Sequence, residues 1–227
     1  MADTNGNNVS EELFHTTLTV VDYHADTSGS TRLVYVLGTH TTLPAAKTFS
    51  YKALEGLNYS PDDFAEYASR AQLSEGEAWK YGDGVMVYAK APAGQEFLVG
   101  IDTKPNTENL PSNPETSELA LPKGHDHLHY VLQTKTDYNQ DKSGAFQTTE
   151  IEGCYVRRAD AMAAARQVLD DMRDDFSQYD DCGNMEEKGQ WPFGDDVVVH
   201  AVAQTGENYS VAVRTVPGAH KKHAKKQ

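Results

Sequence analysis

Three histidines at alternating positions form the most conspicuous chemical pattern of the sequence. His125, His127 and His129 occur in the segment Gly-His-Asp-His-Leu-His-Tyr. In an extended strand these three side chains would share one face, where neutral imidazoles could bind Zn²⁺, Ni²⁺ or Cu²⁺. A structural metal site also needs a fourth ligand, which the sequence does not identify. The other interpretation is a polar entry into a strand, next to a linker.

Acidic residues form two further repeated patterns. The motif Asp-Tyr-x-x-Asp-x-Ser-Gly occurs at residues 22–29 and again at 137–144. Two acids and a hydroxyl could bind Ca²⁺, but the spacing differs from that of an EF-hand loop, and hairpin loops use these residues for Asx-turns. The pairs at 62–63 and 174–175 are Asp-Asp and could act as paired carboxylates in acid–base catalysis. No nucleophile can be named beside them, and a solvated acidic face explains them.

The two cysteines do not indicate a catalytic thiol or a disulfide framework. Cys182 follows two aspartates, which disfavour a thiolate nucleophile, whereas Cys154 lies in a predicted strand and is expected to be buried. Two cysteines in 227 residues are typical of a reducing compartment. No Ser-His-Asp order, phosphate-binding glycine loop, Cys-x-x-Cys pair or dinucleotide fingerprint is found. The sequence therefore implies no cofactor and identifies no catalytic set.

Charge argues against one broad class of partner. The net charge of −14 and the pI of about 4.9 argue against nucleic acid as the main partner, because binding to phosphates requires a basic face. The first residues are polar and no apolar stretch approaches the length of a membrane span, so we expect a cytoplasmic protein without a membrane segment. The basic tail at 220–227 could direct the protein to the nucleus or to an anionic surface, or could be a solubilising terminus.

The organisation of the chain is indicated by a repeat. A shift of 112 positions pairs residues 62–105 with 174–217 at 16 identities in 44 pairs, where chance gives about three. A shift of 115 pairs residues 21–54 with 136–169 at 8 identities in 34. The signature Trp-x-(Tyr/Phe)-Gly-Asp occurs in both copies, as Trp79, Gly82, Asp83 and Trp191, Gly194, Asp195. Each signature precedes a strand of Val and Ala, so we interpret it as a packing and turn element.

Hydrophobic periodicity predicts the same elements in each copy. Alternating residues predict a hairpin before a helix and a second hairpin after it, which gives a β-β-α-β-β unit. Thr42 and Pro44 begin the first helix, which we expect to resume from Asp62 to Arg70 after Pro61. The second helix is predicted to extend from Asp160 to Tyr179. The fold class is therefore α+β, with antiparallel sheets each covered by a helix and two copies related by a pseudo-twofold axis.

The repeat also defines a domain layout. We expect a disordered N-terminus over residues 1–12, a first copy over 13–104 and a second copy over 125–217. The Pro-rich stretch 105–124 is predicted to be an extended linker, and residues 218–227 form the basic tail.

The pattern of a Tyr-Val-Leu strand, a polar loop, Ile-Glu-Gly-Cys-Tyr-Val and an Ala-rich helix resembles small tandem β-β-α-β-β modules of uncharacterised microbial and fungal proteins. The resemblance covers most of the second copy and, more loosely, the first. It implies no activity and no functional residue.

Two functional hypotheses follow. The first is a non-enzymatic protein- or peptide-binding module built from the two copies, whose sheet edges could accept a strand from a partner; a homo-oligomer is left open. The second is a small-molecule-binding protein or an enzyme that uses the cleft between the copies, with the histidine cluster as its polar groups. A duplicated core without a convergent catalytic set favours the first.

Overall fold

The structure is a computed structural model that describes residues 8–113, 118–184 and 191–217. The chain divides into two compact units. The first contains residues up to Gly124 except Ser28–Ser30, and the second contains these three residues and the chain from His125 onward. Residues 1–12 were predicted to be disordered, and residues 1–7 lie outside the described residues, as does the basic tail 218–227. For residues 8–12 the prediction is wrong, because Asn8–Val9 form a strand, the Ser10 hydroxyl donates to the Thr41 carbonyl at 3.1 Å and a second strand begins at Glu12. Among the residues described, no helix has both the length and the apolar content needed to cross a membrane.

The described chain is α+β and contains few helices, as the sequence predicts. The first unit contains strands β1 to β7 and helix α1, which are β1 Asn8–Val9, β2 Glu12–Asp22, β3 Arg32–His40, α1 Leu43–Gly56, β4 Glu66–Ser69, β5 Val85–Lys90, β6 Gln95–Pro105 and β7 Pro111–Ser112. The second unit contains β8 His129–Asp137, β9 Gln147–Tyr155, α2 Arg158–Gln167, β10 Phe176–Asp181, β11 Val197–Ala203 and β12 Glu207–Thr215. Short 3₁₀ turns occur at Pro61–Asp63, Arg70–Gln72, Asp170–Asp175 and Cys182–Asn184.

The first unit is built on a five-stranded antiparallel sheet with the strand order β3-β2-β6-β5-β4. Its hydrophobic core combines residues of α1 with residues of the sheet: Ala53 and Leu54 are buried in one cluster with Leu18, Val87 and Val99. Helix α1 begins as predicted, because the Thr42 hydroxyl accepts the Ala45 N–H at 3.4 Å and a proline occupies the first turn.

The second unit contains a five-stranded antiparallel sheet of strand order β9-β8-β12-β11-β10, read from the corresponding edge. Ala161 and Ala165 of α2 are buried in one cluster with Val131, Val199 and Val211. Each described unit therefore contains a hydrophobic core of its own, formed by apolar residues of one helix and of three or more strands.

Four strands per copy were predicted, and this number is wrong. Residues 66–69 and 176–181 are strands at the sheet edges rather than helical segments, and α2 ends at Gln167. A bulge between Phe176 and Gln178 lets Phe176 and Tyr179 both pack against the core despite their three-residue spacing. This spacing imitates the period of a helix, which explains the error.

The stretch predicted as a linker is folded where the structure describes it. The Asn106 amide donates to the carbonyls of Ser10 and Leu110 at 2.9 Å each, and its oxygen accepts the Leu110 N–H at 2.8 Å. Strand β7 pairs with β1, and the Leu110 side chain is buried. Residues 105–113 therefore belong to the first unit, because Asn106 satisfies backbone groups on both sides of the turn.

Candidate functional site

The candidate site lies on one face of the first sheet. Successive residues of a strand point to opposite faces, and Leu18 and Val99 point into the cluster with α1. Thr17, Thr19 and Leu98 therefore point to the other face, which we call the far face of the first unit.

Cross-strand pairing aligns charged residues in one row on the far face. Arg32 is opposite Val21, Val21 is opposite Glu96, Glu96 is opposite Lys90, and Lys90 is opposite Glu66. Neighbouring strands are about 4.8 Å apart, so positive and negative groups alternate over the width of the sheet. The Lys90 Nζ atom lies 3.0 Å from Glu96 Oε1. We call these five residues the charged row.

A cleft of about 430 Å³ opens on the far face. Strand β2 supplies its floor with Thr17, Thr19 and Val21, and Tyr23 follows just after the strand. Leu98, Gly100 and Ile101 of β6 lie beside this floor, and the turn at Asp83, Gly84 and Val85 forms a wall. Arg32 and Glu96, the two charged residues that flank Val21 in the charged row, complete the lining.

The cleft presents hydroxyl groups that the protein itself does not use. The hydroxyls of Thr17, Thr19 and Tyr23 make no hydrogen bond within the described chain. Thr17 and Thr19 occur at alternating positions of β2 and share a face, and Tyr23, in the turn after the strand, lines the same cleft. A polar group in a cleft gains free energy when a ligand offers it a hydrogen bond, which makes these hydroxyls candidate ligand contacts.

Gly100 keeps one end of the cleft free of side-chain atoms. A Cβ atom at this position would lie 3.2 Å from Thr17 Oγ1 and 3.4 Å from the Gly84 carbonyl oxygen. The same carbonyl accepts the Ile101 N–H at 3.0 Å and retains a second lone pair. The missing side chain therefore exposes two oxygen acceptors to the cleft. We call Thr17, Asp83, Gly84 and Gly100 the acceptor end.

An aromatic stack lies beside the cleft. The Trp79 and Tyr81 rings meet edge to face at 4.9 Å between centroids, and Tyr81 stacks on Tyr88 at 4.2 Å with an angle of 13° between the rings. The Tyr81 hydroxyl donates to Glu66 Oε1 at 2.6 Å, and Lys80 Nζ lies 3.3 Å from the same oxygen. This stack fixes the turn that carries Asp83 and Gly84.

Two tyrosines of the stack, Tyr81 and Tyr88, act as hydrogen-bond donors. Burial raises the pKa of Tyr88, and its hydrogen bond to Glu96 raises the pKa further. The hydrogen bond to Glu66 raises the pKa of Tyr81 and lowers the pKa of Glu66. Both tyrosines are therefore neutral at pH 7. The Glu96 side chain in the cleft wall is thus positioned by a hydrogen bond to Tyr88 and an ion pair with Lys90.

The second unit shows the same stack with different chemistry. Trp191 and Phe193 meet at 4.9 Å, and Phe193 stacks on His200 at 3.8 Å with an angle of 9°. Burial lowers the pKa of His200, and Asp180 opposes this shift. The row that corresponds to the charged row is uncharged: cross-strand pairing aligns Gln147, Thr136, Asn208, Val202 and Gln178.

The predicted histidine cluster does not form one strand face. Strand β8 begins only at His129, so His125 and His127 precede it. The His127 Nδ1 atom lies 2.6 Å from Asp126 Oδ1, and the His127 and His129 rings meet at 5.1 Å. Among the described residues, no group of three or more His, Cys, Asp or Glu side chains is arranged to hold a metal ion.

The repeated acidic loops are turns. Asp22 Oδ1 accepts the N–H groups of His24 and Ala25 at 3.1 and 3.0 Å. Asp137 Oδ1 accepts those of Asn139 and Gln140 at 2.9 and 3.3 Å. The Asx-turns expected from the sequence are therefore present, and they occupy carboxylate oxygens that Ca²⁺ would need.

The other sequence candidates lie apart from the cleft. Asp63 caps a short turn by accepting the Ser60 N–H at 2.6 Å, and this bond lowers the pKa of Asp63. Asp174 and Asp175 are exposed in a 3₁₀ turn. Cys154 is buried, as expected from its strand position, and Cys182 is half-buried; neither forms a disulfide.

Sequence analysis did not identify two parts of the cleft, namely Asp83 and the charged row. Asp83 is interpreted there only as a turn residue, and the charged row receives no role because its members are far apart in the chain. The available signal is the comparison of the two similar halves of the sequence. Arg32, Glu66, Lys90 and Glu96 align with Gln147, Gln178, Val202 and Asn208, so none of the four charges is present at the aligned positions.

No protein-family model, curated protein or solved structure matches this chain.

Proposed function

We propose that this protein is a non-enzymatic binding module, and that the cleft on the far face of its first unit takes a polar segment of a peptide or protein partner. The observation that carries this proposal is the line of three hydroxyls, from Thr17, Thr19 and Tyr23, that the protein leaves without a hydrogen bond.

The spacing of these hydroxyls supports a peptide. Alternate residues of a strand are about 6.8 Å apart, which is also the repeat of side chains on one face of an extended peptide. Thr17 and Thr19 are separated by one such step, and Tyr23 lies in the turn that follows the strand. A peptide lying along β2 would meet two hydroxyls at this spacing and a third, that of Tyr23, at the end of the strand.

The chemistry of the lining supports binding rather than catalysis. No cysteine, serine, lysine or histidine lines the cleft. Its glutamate is already engaged by Lys90 and Tyr88, so it is held as a fixed acceptor. Nucleophilic catalysis uses a nucleophile that is hydrogen-bonded to a base, and within the described chain none of the three lining hydroxyls is hydrogen-bonded to a carboxylate.

The proposal includes an internal duplication of the unit. Both sheets have the same strand order, and both have bulges at matching places, between Val85 and Val87 and between Val197 and Val199. The aromatic stacks also correspond, with Trp79 and Trp191 in the same role. We infer that one ancestral unit, a sheet with a helix against one face, gave both copies. Only the first copy retains or has acquired a charged cleft.

A free small molecule is the second candidate ligand. The cleft volume of about 430 Å³ lies in the range of roughly 300–1,000 Å³ that small-molecule sites occupy. The same hydroxyls would serve such a ligand, so the two candidates differ only in whether the bound group belongs to a peptide.

Saturation-transfer NMR with a defined panel tests the proposal. The panel contains Gly-X-Gly tripeptides for each polar X, the corresponding free amino acids and common monosaccharides. We expect at least one tripeptide to bind the wild-type chain and to bind several-fold more weakly to T17V/T19V, because the Thr→Val change removes hydroxyls but preserves shape.

The matched control is T134V, which changes the threonine at the corresponding position of the second sheet, where Thr134 bonds to Thr149 at 2.9 Å. It should leave binding unchanged. Binding of free molecules without the tripeptides would favour the second candidate. If no probe binds, or if T17V/T19V binds as well as the wild type, the cleft is not the site.

A further inference from the structure

We infer that the group bound at the acceptor end of the cleft is a cation, either an ammonium or a guanidinium group. This inference rests on the proposed function, because it names the chemistry of the ligand in the same cleft.

The polar groups at the acceptor end include two that only accept hydrogen bonds. The Gly84 carbonyl cannot donate, and neither can the ionised Asp83 carboxylate, while the Thr17 hydroxyl can orient its lone pairs toward a donor. Asp83 is exposed and makes no hydrogen bond or ion pair within the described chain. A ligand group with several N–H donors and no acceptor matches this set.

Arg32, the basic residue of the lining, does not offset the negative charge of Asp83. Arg32 is opposite Val21, four residues along β2 from Thr17, which corresponds to about 13 Å along an extended strand. At the Arg32 end, Glu96 lies in the same cross-strand row as Arg32, on the other side of Val21, and contacts Lys90. The acceptor end is thus left with the uncompensated charge of Asp83.

The second unit shows that this arrangement is not required by the fold. Gly100 and Thr17 correspond to Ala212 and Leu132, which pair with each other across β12 and β8, and both are buried. A methyl group and a leucine side chain therefore occupy the positions that the first unit leaves open. Asp195 retains the aspartate of the turn, so the difference lies in the space and the oxygen atoms around it.

Calorimetric titration with four probes tests the inference. N-acetyl-lysine amide carries the cation, N-acetyl-norleucine amide is its neutral counterpart, N-acetyl-glutamate amide is an anion, and Gly-Lys-Gly presents the same cation within a peptide. We expect both lysine probes to bind and the neutral and anionic probes to bind at least about tenfold more weakly, since hydrogen bonds to charged groups are the stronger ones. n-Butylamine carries the ammonium group without a peptide backbone. If it binds as tightly as the lysine probes, the cleft recognises a free amine; if it binds more weakly, the cleft recognises the ammonium of a peptide side chain.

Two variants, D83N and G100A, test whether the cation binds at the acceptor end. D83N should weaken the lysine probes by about tenfold because it removes the charge and keeps the shape, whereas D195N, the same change in the second unit, should have no effect. G100A should abolish binding because its methyl group fills the space between Thr17 Oγ1 and the Gly84 carbonyl oxygen. Alanine is present at the corresponding position 212, so G100A should retain the wild-type circular dichroism spectrum.

The outcomes separate this inference from the proposed function. Binding of the glutamate or norleucine probe as tightly as lysine, or unchanged lysine binding by D83N, would overturn the inference and leave a polar binding cleft. Absence of binding by every probe here and in the tripeptide panel would overturn both.

Discussion

Single residues decide where the face of each sheet is open and where it is filled. Gly100 and Ala212 occupy corresponding positions in the two units, and a difference of one methyl group separates an open acceptor end from a filled one. Thr17 and Leu132 make the same contrast between a hydroxyl and a buried side chain. In both cases a small change leaves the strand intact and alters only the surface that the strand presents.

His15 provides a residue-scale test of the core. It is 1% exposed, and its pKa is lowered to about 4 because burial disfavours the charged ring and because Lys104 and His40 add positive charge nearby. The unfolded chain titrates near 6.5, so between pH 6.5 and pH 4 the unfolded state binds a proton that the folded state does not. The free energy of unfolding therefore falls as the pH falls through this window, by up to about 3 kcal/mol.

Urea denaturation at pH 7.5 and at pH 4.5 measures this effect. The wild-type chain should lose stability between the two values, and H15Q should lose about 2 kcal/mol less, since glutamine does not titrate. H24Q, which changes an exposed histidine of the loop after β2, is the control. An equal loss in wild type and H15Q would show that His15 does not titrate with folding.

At the scale of elements, a helix and a turn contribute corresponding leucines to the two cores. Leu54 lies in α1 and Leu169 lies just after α2, where the backbone leaves the helical conformation. Their exposures are 3% and 0%, although one side chain belongs to a helix and the other to a turn. The position in the core is thus preserved while the secondary structure around it differs.

L54A and L169A should each lower the free energy of unfolding by about 2–5 kcal/mol, because each leaves a cavity in a core that cannot fully collapse. L33A is the control: Leu33 is 46% exposed, and its truncation should cost less than about 1 kcal/mol. Chemical denaturation of the three variants provides the comparison. If L169A were as mild as L33A, the segment after α2 would not anchor the second core.

At the scale of the whole molecule, the two units combine one strand order with two different surfaces. The charged row crosses all five strands of the first sheet, while the corresponding row of the second sheet is neutral. Exposed ion pairs contribute only about 0–1 kcal/mol, so stability does not require the charges. Their presence in one unit and absence from the other therefore points to binding.

Transplanting the neutral row into the first unit tests this view. The variant R32Q/E66Q/K90V/E96N removes two positive and two negative charges, so the net charge stays at −14. We expect the circular dichroism spectrum to be retained and the melting temperature to change by only a few degrees, because the second unit accommodates the same side chains. Binding of the probes that occupy the wild-type cleft should fall by about tenfold or more.

The reverse change, Q147R/Q178E/V202K/N208E, is the matched control and should create no binding, because Ala212 and Leu132 still fill the acceptor end. Loss of folding in the first transplant would contradict the structural equivalence of the two rows.

Local physics allowed much of the fold to be predicted from the sequence. Alternating apolar residues identify the strands that flank each helix, Thr42 and Pro44 mark the start of α1, and the Asp22 and Asp137 motifs specify their Asx-turns. Each of these features depends on residues within a few positions of one another. The α+β class follows from the same local patterns.

Only the tertiary structure decided the edge strands and the cleft. Residues 66–69 and 176–181 become strands because β5 and β11 offer them backbone partners, and a bulge gives the second segment a helix-like spacing of aromatic residues. The cleft depends on cross-strand register, which brings Arg32 and Glu96 into one row although 64 positions separate them in the chain. Register is set by the burial of the opposite face of the sheet, so the sequence determined the strands locally while the packed core determined which side chains meet.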